Sequence, residues 1–353
     1  MFLGKRCDGA AMMIKMTNCT KPKVGPVSVG STAAVKCYFT LPAALRWLDS
    51  DHFGDGAERV RAKPVKTRFS RWFPFAFLHA GLFAVLFVGW SPIALATAVA
   101  LYWLRMFAVT AFLHRYFSHR TFKTSRLAQF IFALMACSAV QRGPLWWAAH
   151  HRAHHKLSDK DGDLHSPSVS GFIWSHIGWI TADCNMPTDY EKIPDLARYP
   201  ELVLLNRFDW FVPVLLGCSL LVWGYCLQLF YPQLGTSPLQ MLVWGFFVST
   251  VLLFHGTASI NSLTHMIGSQ RYKTGDQSRN NFFLALVTMG EGWHNNHHYF
   301  PGAARQGFYW WEVDFSFYLL KLLAALGIIW QLRPVPAEAY SHSSRKTSGE
   351  AML

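Results

Sequence analysis

Charge is what this sequence most lacks. Of its 353 residues, 15% are charged and 52% hydrophobic, whereas a soluble domain averages about a quarter charged. The deficit points to a membrane protein. Acidic residues are scarcer still, at 20 Asp and Glu against 33 Lys and Arg, a net charge of +13. With this hydropathy, the basic excess is better explained by orientation in a membrane than by nucleic acid, so no nucleic-acid partner is expected. The seven cysteines are odd in number and never spaced C-x-x-C, which argues against a disulfide framework and a thiolate metal site. Residues 1–40 contain no continuous apolar core, so no cleavable signal peptide is expected. The organisation expected is a poorly ordered leader over 1–55, a membrane domain over 56–335 and a flexible tail over 336–353.

What is present begins with four apolar stretches near the roughly 20 residues a membrane helix needs, at about 73–92, 93–113, 210–230 and 238–258. The joints at "WSPI" and "YPQLGTS" carry no charge, while Arg59, Arg61, Lys63, Lys66, Arg68 and Arg71 precede the first stretch. Arg115, Arg120, Lys123 and Arg126 follow the second. The positive-inside rule then puts both short joints outside, and both termini with the 114–209 region in the cytoplasm. Residues 126–147 and 315–332 are apolar but interrupted, and are read as not crossing. The expected fold is an all-α integral membrane protein, four transmembrane helices under a cytoplasmic helical cap.

Sixteen histidines are present, most in four short groups. They are "HRYFSH" (His114, His119), "HHRAHH" (His150, His151, His154, His155), "NSLTH" (Asn261, His265) and "HNNHH" (His294, His297, His298). In H-x-x-H-H, positions i, i+3 and i+4 share one helical face. Imidazoles converging on a face make a metal site. His114 and His119 diverge by roughly 140° on an ideal α-helix, which places them where a helix ends or bends. His79, His255, His165 and His176 read as packing, interfacial or capping residues; His165 and Asp163 fit equally as outer groups of a site, as does Glu291. "DKDGDLH" superficially resembles a calcium loop, but the twelfth position from Asp159 is Ser170 rather than Glu, so that reading fails. Nine histidines exceed what one ion holds. Two ions are implied, and an imidazole-rich pair suits oxygen-activating iron better than structural zinc.

"HRYFSHRTF", "HRAHHKLSD", "NSLTH" and "GEGWHNNHHYFP" are similar in type, order and spacing to the histidine boxes of membrane fatty-acid desaturases. The similarity is strongest to the Δ9 acyl-CoA branch and covers about residues 70–315. The resemblance implies a di-iron enzyme that uses O₂ to place a cis double bond in a saturated C16 or C18 acyl chain. It implies ligands at His114, His119, His151, His154, His155, His265, His294, His297 and His298, with Asn261 reaching one iron through water. It assigns the kink in the acyl tunnel to Gln141, Trp147 and Thr257, and its end to Tyr102 and the bulky Met106. His150 has no place in the pattern and is expected to be an outer or surface residue.

Two departures concern the acyl carrier. The Arg-Asp pair that precedes the second box in acyl-CoA enzymes is here Ala149 and His150, and the Trp after the kink threonine is Ala258. CoA is narrowly favoured on overall similarity, with a membrane lipid close behind. A hydroxylase of the same superfamily is the nearest rival; a haem- or metal-binding membrane protein is the more distant one. The electron donor is expected to be a separate protein (cytochrome b5, ferredoxin or rubredoxin, with a reductase), because the sequence has no His-Pro-Gly-Gly segment and no cysteine set for such iron.

Overall fold

The computed structural model describes residues 41–341. Among the described residues four helices are long and apolar enough to cross a membrane: Phe69–Val88, Pro92–Ser118, Phe211–Phe230 and Pro238–His265, called here spans one to four. Side chains such as Phe77, Leu86, Phe87 and Val222 stand exposed on their outer faces, as expected of surface covered by lipid tails.

Local chemistry starts each hairpin return. Ser91 accepts from the Ala94 amide ahead of Pro92, and Ser237 accepts from the Gln240 amide ahead of Pro238; proline at the first helical turn loses no hydrogen bond. The two joints then tie to one another. Ser91 donates to Thr236 Oγ1 at 2.9 Å, and Gln240 Nε2 donates to Val88 O at 2.8 Å. Spans three and four meet at Gly224, where an added Cβ would lie 2.6 Å from Pro238 Cα.

Spans two and four run further than the expected 113 and 258, to Ser118 and His265. Their polar ends face the cap: Thr110, His114, Thr257 and His265 are all buried. Each contains a segment of i→i+5 hydrogen bonding, Ala108–Ser118 in span two and Val243–Val248 in span four. Such segments cluster at functional positions. Arg105, buried within span two, donates to Thr250 Oγ1 at 2.8 Å and Ser138 O at 3.3 Å.

The two doubtful stretches form helices of 12 and 11 residues, Arg126–Cys137 and Phe315–Ala325, too short to cross roughly 30 Å of hydrocarbon. They join the cap, where Phe112 of span two stacks on Phe132 with centroids 3.9 Å apart. Among the described residues the fold is all-α apart from one two-stranded antiparallel pairing, β1 (Lys123–Thr124) with β2 (Ile329–Trp330).

The packed body exceeds the expected 56–335. Residues 41–55 are not loose, because Ser50 donates to Asp209 at 2.5 Å and Tyr190 donates to Asp51 at 2.7 Å. Past residue 335, Tyr272 donates to Ala339 O at 2.9 Å. Buried polar partners hold both edges. The rest of the expected leader and tail, 1–40 and 342–353, lies outside the described residues.

Candidate metal centre

Four elements deliver the histidines. Span two brings His114 and His119, the helix Pro144–Leu157 brings the second group, span four brings Asn261 and His265, and the helix His294–Tyr299 brings the last. His114 and His119 do not diverge as α-helical geometry predicts. The His119 amide bonds to His114 O at 3.2 Å, an i→i+5 turn, and the rings lie 5.0 Å apart. One residue more per turn aligns a pair that the sequence spacing splits.

The nine histidines gather into two groups. His114, His119, His151, His155 and His297 form one, and His154, His265, His294 and His298 the other; within each, the ring nitrogens lie within 4.8 Å of one another. Nε2 faces Nε2 in both. The separations are 3.0 Å for His114–His297, 2.8 Å for His119–His151, 2.9 Å for His155–His297 and 3.1 Å for His265–His294.

Carboxylates decide which nitrogen faces inward. Nδ1 of His154 donates to Asp163 at 2.9 Å, that of His265 to Asp159 at 2.7 Å and that of His298 to Asp276 at 2.7 Å. His114 Nδ1 pairs with Glu291. With the proton held on Nδ1, each of these rings aims an unprotonated Nε2 at its group's centre. His298 Nε2 is buried with no hydrogen-bond partner. Lone pairs facing one another at such distances repel unless a cation sits among them, so the donor set fits two metal ions.

The titration behaviour agrees. Burial first, then neighbouring imidazoles, hold His119, His151, His155, His294 and His297 well below the ordinary histidine value. Burial takes His298 down to about 4 despite the opposing pull of Asp276. These rings are neutral at physiological pH, the form that binds metal. Burial would raise Glu291, but His114 and the buried Arg115 guanidinium outweigh it and hold the carboxylate ionised. Arg115 also bonds Asp314 at 2.9 Å.

Two cavities adjoin the centre. The smaller, about 20 Å³, lies among His114, His151, His154, His294, Asn261, Trp147 and Thr257, enough for about one water. The larger, about 440 Å³, runs from His151, Asn261, Gln141, Trp147 and Thr257 out to Arg71, Arg142 and Trp210. Trp147 and Thr257 border both cavities, and Trp147 stacks on His151 at 4.8 Å. Gln141 sits between two left-handed non-glycine residues, Val140 (φ 59°) and Arg142 (φ 66°), strain of a kind that collects at functional positions. Tyr102 and Met106 border neither cavity. They pack together over Gly256, whose added Cβ would meet Met106 Cε at 2.8 Å and the Tyr102 hydroxyl at 2.9 Å.

Of the outer residues, Asp163 and Glu291 hold His154 and His114, and His165 lies 4.3 Å from His154, ring to ring. His150 is not a surface residue. It is buried, packs at a tilt on Trp146 with centroids 4.3 Å apart and donates to Trp146 O at 2.9 Å. Sequence reasoning missed Asp159, Asp276 and Gln306, which donates to Glu291 at 3.0 Å. The acidic run after the second box was a usable signal for Asp159; "TGDQS" around Asp276 offered none.

Asp276→Asn removes the acceptor that orients His298, and is expected to weaken metal affinity by roughly 10- to 100-fold. Metal content after dialysis against a graded chelator series measures this. Retention equal to the unsubstituted protein would remove Asp276 from the site.

The family model described as fatty acid desaturase matches residues 88–326. An sn-1 stearoyl-lipid 9-desaturase of Anabaena variabilis is 38% identical over 257 residues, covering 72% of this chain and 89% of that protein. An acyl-CoA 5-desaturase of Anemone leveillei is 37% identical over 241 residues, 67% of this chain and 70% of that protein. A hex-5-enoyl-[acyl-carrier protein] acetylenase of Moorena producens is 33% identical over 264 residues, 71% and 81% respectively. A match of this extent, on a chain whose histidine groups converge as described, shows that this protein belongs to the fatty acid desaturase family, in its Δ9 branch.

Proposed function

We propose that the protein is an O₂-dependent, di-iron Δ9 desaturase of saturated C16 and C18 acyl chains. The observation that carries this reading is the larger cavity, which reaches His151 and shares Trp147 and Thr257 with the small cavity that touches both histidine groups. His114, His119, His151, His155 and His297 hold one iron in this reading; His154, His265, His294 and His298 hold the other, with Asn261 reaching it through water. Bound there, the iron pair supplies the oxidising power drawn from O₂ that removal of hydrogen from an unactivated methylene pair requires. The protein's own work is positional. Gln141, Trp147 and Thr257 bend the acyl chain so that two adjacent carbons face the centre, and the buried imidazole cage excludes bulk water.

The carrier we propose is a membrane lipid. Phe75 and Leu78 of span one, Val214 of span three and Phe254 of span four line the larger cavity, so its wall is built from the membrane-spanning bundle. Arg71 and Arg142 stand along it, cations suited to an anionic head group. The Arg-Asp pair expected of CoA enzymes is absent at Ala149 and His150. The stearoyl-lipid relative is consistent with this choice. Electrons come from a separate small carrier protein of the cytochrome b5, ferredoxin or rubredoxin kind, with its reductase.

Expression in a desaturase-deficient host is expected to yield cis-9 C16 and C18 chains, lost in His151→Ala. Hydroxylated chains instead would make it a hydroxylase. With transfer between pools blocked, label should enter the product from lipid; label arriving only from acyl-CoA would reverse the carrier assignment.

In this reading the metal centre and both termini face the cytoplasm, which the basic flanks support. A cysteine at exposed Lys160 should be labelled only from inside, and one at exposed Gln233, in the span three–four joint, only from outside. The opposite pattern would invert the topology.

Met106 and Tyr102 border neither cavity but pack over Gly256, next to Thr257; in this reading they close the far end of the acyl path, and the bulk of Met106 favours sixteen carbons over eighteen. Met106→Ala is expected to shift the product ratio towards eighteen, since room for about two methylenes opens, each worth roughly 0.8 kcal/mol. An unchanged ratio would show that Met106 only packs between spans.

A further inference from the structure

Asp183 lies where the cap meets the start of span one, and three cations share it. Arg68 Nη1 donates to its carboxylate at 2.6 Å and Arg71 Nε at 3.1 Å, while Lys63 Nζ stands 4.0 Å away. The backbone fixes the arrangement, because the Arg68 amide donates to Thr181 O at 3.0 Å and Thr67 bridges Ala182. Among the described residues no second carboxylate pairs with these cations, so two positive charges are left over. The side chains of Lys63, Arg68 and Arg71 are 39%, 59% and 40% exposed, open to a ligand from outside. We propose that this cluster seats the anionic head group of a glycerolipid from the cytoplasmic leaflet, whose acyl tail enters the larger cavity sideways, between spans one and three.

Charge and position together name the ligand. Three cations around one carboxylate repel one another, and a bound anion relieves that repulsion. The planar guanidinium fork matches the oxygens of a phosphate, and Lys63 adds a compact third charge. Arg71 belongs to the cluster and also lines the larger cavity, so the head-group site and the tail site are continuous. Arg142, the other cation along that cavity, is already taken up by Asp209 at 3.3 Å and by the carbonyls of Ser50 and Met186. The unmatched charge therefore lies on the side of span one. Trp210 borders the cavity and is exposed, as befits an indole at the level of lipid head groups.

The packing of the spans leaves the way in. Near the joint between them, span three lies close on span four, with Gly224 against Pro238 and Leu220 against Gly245. Span one also packs on span four, with Gly81 against the Phe247 ring and Phe75 5.3 Å from Phe254, ring to ring. Towards the cap, spans one and three both border the larger cavity, through Pro74, Phe75 and Leu78 on one and Pro213 and Val214 on the other. Pro74 and Val214 line the cavity and are exposed as well. The cavity wall thus reaches the outer surface of the bundle, where lipid tails lie. All five of these side chains are apolar, a wall that a hydrocarbon tail can cross and a charged carrier cannot.

This inference rests on the lipid-carrier reading above and makes it specific. A phosphate-bearing glycerolipid is taken in preference to a neutral glycolipid, and no bond is made or broken at the cluster.

The test uses the iron-loaded full chain in phosphatidylcholine vesicles with a phosphatidylglycerol probe carrying a mid-chain diazirine, since photolabelling needs no turnover. The probe should label the helix Pro144–Leu157, which bears Trp147. Unlabelled phosphatidylglycerol should compete far better than neutral monogalactosyldiacylglycerol. Arg68→Gln and Lys63→Gln should each weaken that competition roughly five-fold, a difference that shrinks at high salt. In turnover both should raise KM for phosphatidylglycerol while kcat, iron content and melting temperature hold. Val214→Trp should strip label from Pro144–Leu157, whereas Val222→Trp, exposed on the same span away from the cavity, should not. Equal competition by the two lipids, or undiminished competition in Arg68→Gln, would overturn the head-group site. Unchanged labelling in Val214→Trp would overturn the sideways entry. Labelling as expected with no double bond formed by the unsubstituted protein would sink the desaturase reading instead, and double bonds formed on acyl-CoA without lipid labelling would end this inference alone.

Discussion

Unprotonated imidazole nitrogens aimed at a common point repel one another, and this protein directs nine of them at two points. The arrangement holds only if something fixes each ring and something positive sits among them. Asp159, Asp163, Asp276 and Glu291 do the first, each taking the Nδ1 proton of one ring. Such outer carboxylates raise ligand basicity and set orientation together. In a chain with only 20 acidic residues, spending four of them on four histidines is a heavy commitment. A metal ion would supply the second condition, so cap and centre would depend on each other.

The membrane helices serve that need. Spans two and four outrun their apolar stretches because their last turns are buried against the cap rather than against lipid. The i→i+5 segment in span two matters most: it turns His114 and His119 towards the same group, and it carries Arg115 inward to Glu291 and Asp314. A buried guanidinium is costly unless matched; here two carboxylates match it, and one of those carboxylates holds a ligand. Strain at Val140 and Arg142 is stored beside the same site. The positions that violate local rules lie where the chemistry is.

Much of this was legible from residue order. Apolar length located four spans, and the short helices Arg126–Cys137 and Phe315–Ala325 do not cross, as their interrupted patterns implied. The groups "HRAHH" and "HNNHH" showed shared helical faces because i, i+3 and i+4 are neighbours on any α-helix. For His114 and His119 the same geometry put the pair where the helix ends or bends, and span two does end there with His119 at its cap; the wider turn that brings the rings together is what the spacing did not carry. His150, beside a box, was expected as an outer or a surface residue; it is not at the surface but buried against Trp146, because adjacency in a helix says nothing of which neighbour fills the space opposite.

By itself, then, the sequence determined the membrane class, the number of candidate spans and the histidine groups that could hold metal, all properties of local composition and periodicity. Tertiary structure alone decided the partition into groups of five and four, because His154 leaves the companions of its own helix to join His265, His294 and His298. It also decided which carboxylates serve which rings: Asp159 reaches His265 across 106 positions of chain. The same holds for Asp183, which gathers Arg68 and Arg71 from 115 and 112 positions away only once span one and the cap are packed together. Each of these depends on contacts between segments distant in sequence, and no local pattern encodes how such segments dock.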